Sequence, residues 1–562
     1  MTGPWVEKYE AHVPARIDIP DTPLPDCLRR NARRYPKHPA LIFFDARMTF
    51  SELNDAVDRF AAGLQKLGVA RGDRVALYMP NCPQYAIAYY GVLRVGAVVV
   101  PCNPLYVARE IRQQLVDAGA TVAVVLSSFY NTLKEIRAET SLETVIVANI
   151  KEYFPRPLKI AFTLLKEKKE GHYLDLSDEE EDTVWFHDFL KQAPAVPAPV
   201  RIGLDDTACL LYTGGTTGTP KGAELTHRNL LVNAMQCQVW LKTRPAGEVV
   251  LAALPFSHSY GMTTCLNHGI YAASTLILIP NPRDLAFVLS NIQKHKPTLF
   301  PGVPTIYVAI NNYRDIDKYD LRSIRACISG GAGLPKEVQV RFQELTGGRL
   351  VEGYGLTEAS PVTHANPVND NCRIGTIGLP WPNTECRLVS LEDGKTPVAP
   401  GEVGELCIRG PQVMKGYWNR PEETAEALRD GWLHTGDIAV MDEDGYFRIV
   451  DRKKDMIIAG GYNIYPRDIE EVLYEHPKVK EAVAVGVPHS YRGETVKVYV
   501  VLKDGESATE DEILRWCRTH LAKYKVPTAV EFRAELPKTM VGKILRRALR
   551  EEEIARMRAE QA

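Results

Sequence analysis

Apolar residues along the chain alternate between a helical repeat and short unbroken runs bounded by glycine or proline. Thr49 and Glu52 stand at capping-box spacing, and Leu53, Val57, Phe60, Leu64 and Leu67 then recur on one helical face until Gly68. That predicts a helix with one buried side. The run RVALYMP follows, then a helical stretch over Tyr85 to Arg94, then GAVVVP, and the alternation recurs through TLILIP and PTLFPGVP. Strand–helix–strand order of this kind predicts an α/β sheet. Prolines 194, 197 and 199 predict a short surface connection that opens a new sub-domain.

A second break is expected at 451–466, DRKKDMIIAGGYNIYP, where charges and paired glycines separate two apolar regions. Beyond it come helical IEEVLYEH, strand-like EAVAVGVP and TVKVYVVL, a Thr509–Glu512 capping box and a basic tail, roughly a small domain's worth of chain. The expected division is therefore 1–450, a large α/β domain with several sheets, and 451–562, a small α+β domain. Residues 151–170, KEYFPRPLKIAFTLLKEKKE, interrupt the α/β pattern. Their expected apolar face is Leu158, Ala161, Phe162 and Leu165, flanked by Lys159, Lys166, Lys168 and Lys169. Two readings stand: an ordinary amphipathic helix packed on its own domain, or a peripheral contact with anionic lipid.

Composition narrows the function. A net charge of −2 over 562 residues gives no electrostatic footprint for nucleic acid. Eleven cysteines without a C-x-x-C pair or a zinc-like histidine spacing read as buried thiols in a reducing cytosol. The N-terminus lacks a basic region leading into an apolar stretch, and the longest apolar stretch, Ala86 to Pro101, is broken by Arg94 and two glycines. Neither a secretory signal nor a membrane span is read, so the expected location is the cytoplasm, with the inner membrane face as an alternative site of work.

The candidate chemistry centres on LLYTGGTTGTPKG at 210–222. Its glycines let backbone N–H groups approach an anion, its threonines add donors and Lys221 adds charge, a composition suited to phosphate. Lys221 lies between Pro220 and Gly222, so this is not a Walker A loop, and a plain turn is the bland alternative.

YTGGTTGTPKG, GYGLTEAS at 353–360, HTGD at 434–437, DRKKDMIIAGGYNIYP and PKTMVGKILRR at 537–547 occur in this order, and together they resemble the adenylate-forming acyl-CoA synthetase (AMP-binding) superfamily over nearly the whole chain. GPQVMKGYWNRPEETAEALRDGW and PHSYRGETVKVYVVLK further resemble bacterial long-chain fatty-acid–CoA ligases. The resemblance implies that a fatty-acid carboxylate attacks the α-phosphate of Mg-ATP, giving acyl-AMP and pyrophosphate, after which coenzyme A displaces AMP.

It also implies roles. Thr213, Gly214, Gly215, Thr216, Thr217, Gly218 and Lys221 would hold the β- and γ-phosphates, with Thr213 and Glu358 at Mg2+. Gly330, Gly331 and Ala332 would lie beside adenine, with Glu352, Gly353 and the ring of Tyr354, and Thr357 would meet the α-phosphate. Asp437 would accept from the ribose hydroxyls, joined by Arg452, because a carboxylate makes the stronger charge-assisted bonds. His258 would stand beside the carboxylate and α-phosphate, or be structural. Lys543 would reach the same atoms in the first half-reaction. The small domain would then rotate about Asp451, bringing Gly460, Gly461 and Tyr462 to the coenzyme A tunnel. Tyr260 and Gly355 would line the acyl pocket. Short-chain relatives have tryptophan where this chain has Gly355, so glycine is read as room for a longer acid, each buried methylene contributing about 0.8 kcal/mol. An acyl-AMP ligase serving a carrier protein, a non-catalytic nucleotide-binding relative and a luciferase-like oxygenase are the competing readings, and a homodimer is left open.

Overall fold

A computed structural model describes residues 3–176, 182–213, 220–459, 462–489, 493–539, 542 and 544–561. The capping box forms as read: Thr49 Oγ1 accepts from the Glu52 N–H at 3.2 Å and Glu52 Oε2 accepts from the Thr49 N–H at 2.8 Å, opening helix Phe50–Lys66. Leu53, Val57, Phe60 and Leu64 are buried, whereas Leu67, the last residue of the expected stripe, follows the helix and is 43% exposed.

The alternation continues as strand Arg74–Tyr78, helix Pro83–Arg94 and strand Val98–Pro101. Helix Pro83–Arg94 is buried on every side, and Arg94 is tolerated there because its guanidinium meets Asp58 at 2.9 Å. These strands belong to an eight-stranded sheet in the order Gly416–Tyr417, Lys221–Thr226, Thr207–Thr213, Val98–Pro101, Arg74–Tyr78, Val122–Leu126, Thr144–Ala148, Thr183–Trp185. Six of the strands run parallel; at one edge Lys221–Thr226 is added antiparallel to them, and Gly416–Tyr417 pairs antiparallel to Lys221–Thr226 in turn. Two further four-stranded sheets carry Val249–Ala252 with Thr275–Leu278, and Ala326–Ser329 with Arg349–Gly355.

PTLFPGVP does not repeat the strand pattern. It makes only isolated bridges, Leu299 to Val250 and Ala326 and Gly302 to Ser329, because Pro297, Pro301 and Pro304 have no N–H for a ladder.

Grouped by contact, the chain forms two compact units: Met1–Glu385 with Arg409–Leu433, and Cys386–Ile408 with His434–Ala562. The 450/451 boundary expected from the sequence is a different division, falling inside strand Phe447–Arg452 of the second unit. The breaks by contact lie earlier because strands between 386 and 441 share a sheet with Phe447–Arg452. In the second unit, EAVAVGVP lies in strand Val479–His489, paired with Gly493–Leu502. Ala482 and Ala484 pack with Ile469, Leu473 and Ile513, while Val483, Val485 and Val487 pack with Leu536 and Leu549. A strand covered on both faces reads as an unbroken apolar run.

Residues 156–165 form a helix, Arg156–Leu165, whose orientation differs from the expectation. Phe162 alone is buried, against the rings of Phe154 and His172 at 5.4 and 5.6 Å, and Leu158 is half-buried. Pro157, Ile160, Ala161, Leu164 and Leu165 are exposed. Phe162→Ala should therefore cost about 3 kcal/mol or more in this segment. Trypsin should cut faster after Lys159 and Lys166 in that variant, while Leu164→Ala, at a side chain with no packing to lose, should be cut at the wild-type rate.

Candidate active site

Thr213 ends strand Thr207–Thr213, and Lys221 begins strand Lys221–Thr226. The two are register partners, and the Thr213 hydroxyl donates to the Lys221 carbonyl at 3.5 Å. Gly214, Gly215, Thr216, Thr217 and Gly218 lie outside the described residues. The short strand Gly416–Tyr417 pairs on the outer side of Lys221–Thr226, with Tyr417 opposite Ala223. Tyr417 thereby reaches two of the expected residues. Its ring lies 5.5 Å from the Lys221 ammonium, and its hydroxyl donates to Glu358 Oε1 at 2.7 Å. Burial and then the Glu358 charge push the phenol's pKa far above its ordinary value, so it remains a donor at working pH. Lys221 Nζ also stands 3.9 Å from Glu423.

Thr357 and Glu358 lie in the 3-10 turn Thr357–Ala359 that follows strand Arg349–Gly355. The Met414 N–H holds the Glu358 carbonyl at 2.7 Å, and Thr357 Oγ1 lies 3.2 Å from Ser259 Oγ. His258 caps helix Ser259–Gly261, its Nδ1 accepting from the Tyr260 N–H at 3.2 Å. A neutral His258 therefore carries its proton on Nε2. One chain of contacts thus runs from Thr213 and Lys221 through Tyr417 to Glu358, Thr357 and the His258 turn.

Tyr260 is buried and donates to the Ile328 carbonyl at 2.7 Å, and a Cβ on Gly330 would meet its ring at 3.0 Å. Gly331, at φ +83°, and Ala332 are exposed. Glu352 is buried and accepts from the Leu334 N–H at 3.2 Å, which fixes the end of that glycine segment. Gly353 is buried where a Cβ would meet Ile328 Cγ2 at 2.6 Å, a packing requirement of its strand. Tyr354 is half-buried and edge-on to His364 at 5.8 Å.

Gly355 pairs in register with Val362, and a Cβ on it would lie 2.2 Å from the carbonyl oxygen of the preceding Pro361. Close backbone approach is thus a second reason for glycine here, beside the room for a longer acid that the sequence suggests.

The second unit holds Asp437 and Arg452 as register partners, with Arg452 Nε 3.2 Å from Asp437 Oδ1. Buried Glu405 holds the HTGD segment, which lies within strand Trp432–Met441, beside them. It accepts from the Gly436 N–H at 3.2 Å and meets Lys453 at 3.3 Å and His434 at 3.6 Å. Asp437 is held in turn by its own N–H, which donates to Thr435 Oγ1 at 3.0 Å.

Asp451 is also buried, accepting from the Arg452 N–H at 2.7 Å and the Arg467 N–H at 2.9 Å, with Arg546 at 3.5 Å. Burial pushes its carboxyl up to about 6 against the pull of Arg546. Tyr462 begins strand Tyr462–Ile464, and Gly460, Gly461 and Lys543 lie outside the described residues.

Tyr417, Glu423 and Glu405 carry no motif of their own and were not singled out from the sequence. The only signal was that Tyr417 and Glu423 fall within the GPQVMKGYWNRPEET stretch.

The sequence profile of the AMP-binding enzyme matches residues 28–418, and that of the AMP-binding enzyme C-terminal domain matches residues 468–543. The chain belongs to the AMP-binding enzyme family. Its relatives include a long-chain-fatty-acid–CoA ligase of Bacillus subtilis (strain 168), 47% identical over 98% of each chain. Among solved structures, the anthranilate CoA ligase AuaEII in complex with anthranoyl-AMP superposes with a TM-score of 0.83 at 28% identity, covering 95% of this chain and 98% of that one. A Mycobacterium tuberculosis fatty acyl CoA synthetase gives 0.71 at 31% identity, with 95% and 98% covered. This AMP-binding enzyme has the family's large N-terminal and smaller C-terminal domains.

Tyr417→Phe keeps the ring beside Lys221 and removes only the bond to Glu358. A bond to a charged group contributes about 1.5–3 kcal/mol, so kcat/KM for ATP should fall about 10- to 100-fold with little change in Tm. Wild-type kinetics in the variant would show that Glu358 does not depend on the phenol for its orientation.

Asp451 gives this AMP-binding enzyme a pH signature. Its folded pKa is raised, so its contribution to stability is fully present below the unfolded value near 4 and is lost as pH rises through about 6. Melting curves from about pH 3.5 to about pH 7 should show a component of stability that rises on acidification and is absent in Asp451→Asn. Parallel curves for the two proteins would place Asp451 in a more polar setting.

Proposed function

We propose that this AMP-binding enzyme activates a long-chain fatty acid, through acyl-AMP, to its coenzyme A thioester. The reading is carried by one observation: Lys221, at the foot of the phosphate-type loop, and Glu358 converge on the single side chain Tyr417. In the first half-reaction the fatty-acid carboxylate oxygen bonds to the α-phosphorus of ATP and pyrophosphate leaves. In the second, the coenzyme A sulfur bonds to the acyl carbon, AMP leaves with the bonding pair, and the thiol proton passes to solvent.

Lys221 and the loop from Thr213 to Gly218 bind the β- and γ-phosphates, and Thr357 meets the α-phosphate. A hydroxyl and a carboxylate are the hard oxygen donors that Mg2+ takes, so Thr213 and Glu358 fit it, with the Tyr417 phenol orienting Glu358 from the side of Oε1. When bound, Mg2+ neutralises phosphate charge as pyrophosphate departs. The backbone of Gly330, Gly331 and Ala332 and the ring of Tyr354 receive adenine, supported from behind by Glu352 and Gly353. Asp437, held by Arg452 and flanked by the Gly436 that Glu405 fixes, accepts from the ribose hydroxyls. His258, with its proton on Nε2, donates toward the carboxylate. Tyr260 backs the acyl site, and Gly355 keeps the strand beside it closed.

Lys543 serves the first closure of residues 451–562 on 1–450. Rotation about Asp451 then withdraws it and brings Gly460, Gly461 and Tyr462 to the pantetheine arm. Such rotation about a few residues is an established means of alternating two active states.

The long-chain preference draws its support from the 47% identical Bacillus subtilis relative. The eleven cysteines form no disulfide, and no helix among the described residues is long and apolar enough to cross a membrane. We take the enzyme to work in the cytoplasm, in peripheral contact with the membrane through 151–170, a reading supported by its scattered thiols and by the low solubility of a long-chain acid.

The deciding assay measures pyrophosphate release across acids from acetate to oleate, with and without coenzyme A. Release that favours long acids, with AMP set free only when coenzyme A is present, is the expected result. AMP release that requires a carrier protein instead would replace the ligase by an acyl-AMP ligase. Lys543→Ala should slow adenylate formation on the order of 100- to 1,000-fold and spare thioester formation from supplied acyl-adenylate. Equal losses in both half-reactions would remove the two-closure scheme.

A further inference from the structure

Helix Arg156–Leu165 presents its apolar side outward. Pro157, Ile160, Ala161, Leu164 and Leu165 stand at i, i+3, i+4, i+7 and i+8, the stripe that a surface helix ordinarily turns to the core. Here all five are exposed, Ile160 at 63%, Leu164 at 77% and Leu165 at 75%. Single exposed aliphatic residues are ordinary, but a whole helical stripe marks a surface that meets something apolar.

The helix is not loosely attached. Phe162 is inserted against Phe154, whose ring continues to Phe44 at 4.6 Å, and Phe44 continues to Phe287 at 4.8 Å. Beyond the helix, buried Glu167 accepts from Asn149 Nδ2 at 2.9 Å and from Lys151, and Asn149 Nδ2 also donates to the His172 carbonyl at 3.1 Å. His172 Nδ1 in turn lies 2.8 Å from Ser127 Oγ. This polar floor and the aromatic stack fix which side of the helix faces out.

The surrounding charge selects the occupant. Arg156 and Lys159 lie on the helix, and Lys166, Lys168 and Lys169 follow its last turn, all exposed. Lys168 sits 4.7 Å over the ring of Tyr173, itself 56% exposed. Glu167 is committed to the floor, and Glu170 is paired with Lys166 at 3.4 Å. An apolar stripe bordered by lysines and a tyrosine matches an acyl–headgroup boundary bearing negative charge.

We propose that this helix docks the enzyme on an anionic membrane surface, with Ile160, Leu164 and Leu165 entering the interface and Lys166, Lys168 and Lys169 meeting lipid phosphates. Docking would give the enzyme acids that reside in the bilayer, a purpose that rests on the ligase reading, whereas the geometry does not.

Two triple variants test it, Ile160→Ser with Leu164→Ser and Leu165→Ser, and Lys166→Glu with Lys168→Glu and Lys169→Glu. None of the six side chains is buried, so both variants should fold. The full-length wild-type protein should sediment with phosphatidylglycerol-containing vesicles at low salt and less with phosphatidylcholine alone. Each variant should bind about tenfold or more weakly. Turnover of octanoate in free solution should be unchanged, while turnover of palmitate carried in vesicles should fall with binding.

Wild-type protein that stays in the supernatant, or variants that sediment like wild type, would overturn docking. So would an apolar-stripe variant that turns a dimer into a monomer without changing vesicle binding, since the stripe would then belong to a second copy of the chain. Vesicle binding that follows the prediction in a protein unable to activate any acid would leave docking standing and remove the ligase reading.

Discussion

Between strand Thr207–Thr213 and strand Lys221–Thr226 run only residues 214–220. A parallel return to the same sheet needs a crossover of a dozen or more residues, so a link this short obliges the second strand to come back antiparallel. The sheet, parallel up to that point, reverses there. Thr213 and Lys221 are in consequence set opposite each other at one end of the pair, with the glycine- and threonine-rich loop between them. The reversed strand then offers its outer edge to Gly416–Tyr417, and the register of that short pairing carries Tyr417 to Lys221 and Glu358. A slip of one residue would turn Tyr417 to the other face of the sheet, so the geometry around Glu358 depends on a two-residue strand.

Buried carboxylates play a comparable part in the second unit. Burying a charge is costly unless it is paired and hydrogen-bonded, and removing one partner leaves the other stranded. Glu405 meets that requirement with a backbone N–H, a lysine and a histidine, and Asp451 meets it with two backbone N–H groups and Arg546. Glu405 fixes Gly436, at φ +69° within strand Trp432–Met441 and next to Asp437, and Asp451 fixes the first turn of helix Pro466–Tyr474. Asp451, next to last in its strand, is thereby tied to the backbone at the start of helix Pro466–Tyr474.

The sequence revealed features whose cause is local. The Thr49 cap was legible because donor and acceptor lie three residues apart, and strand Val479–His489 because burial on both faces leaves an unbroken apolar run. PTLFPGVP misled because its apolar residues suggest a strand while its prolines remove the donors that a ladder needs. At Gly355 the sequence showed only a missing side chain; the close approach of the Pro361 carbonyl oxygen is a contact that spacing does not reveal. The family motifs made Lys221, Glu358 and Asp437 candidates. Their supports, Tyr417 and Glu405, remained hidden because each lies dozens of residues away along the chain.

Helical periodicity has a further limit, visible when helices Phe50–Lys66 and Arg156–Leu165 are compared. Both carry an apolar stripe at the spacing of an amphipathic helix, and in the first the stripe is the core-facing side. In the second, one phenylalanine off the stripe is enough to reverse the assignment, because a buried aromatic ring has more contact area than any one of the aliphatic side chains left outside. Periodicity reports that two sides of a helix differ; it does not report which side the rest of the protein occupies. That choice is made by distant partners, here Phe154, His172 and the polar floor around Glu167, and a stripe left outside by such anchors is available to a surface that is not part of the protein.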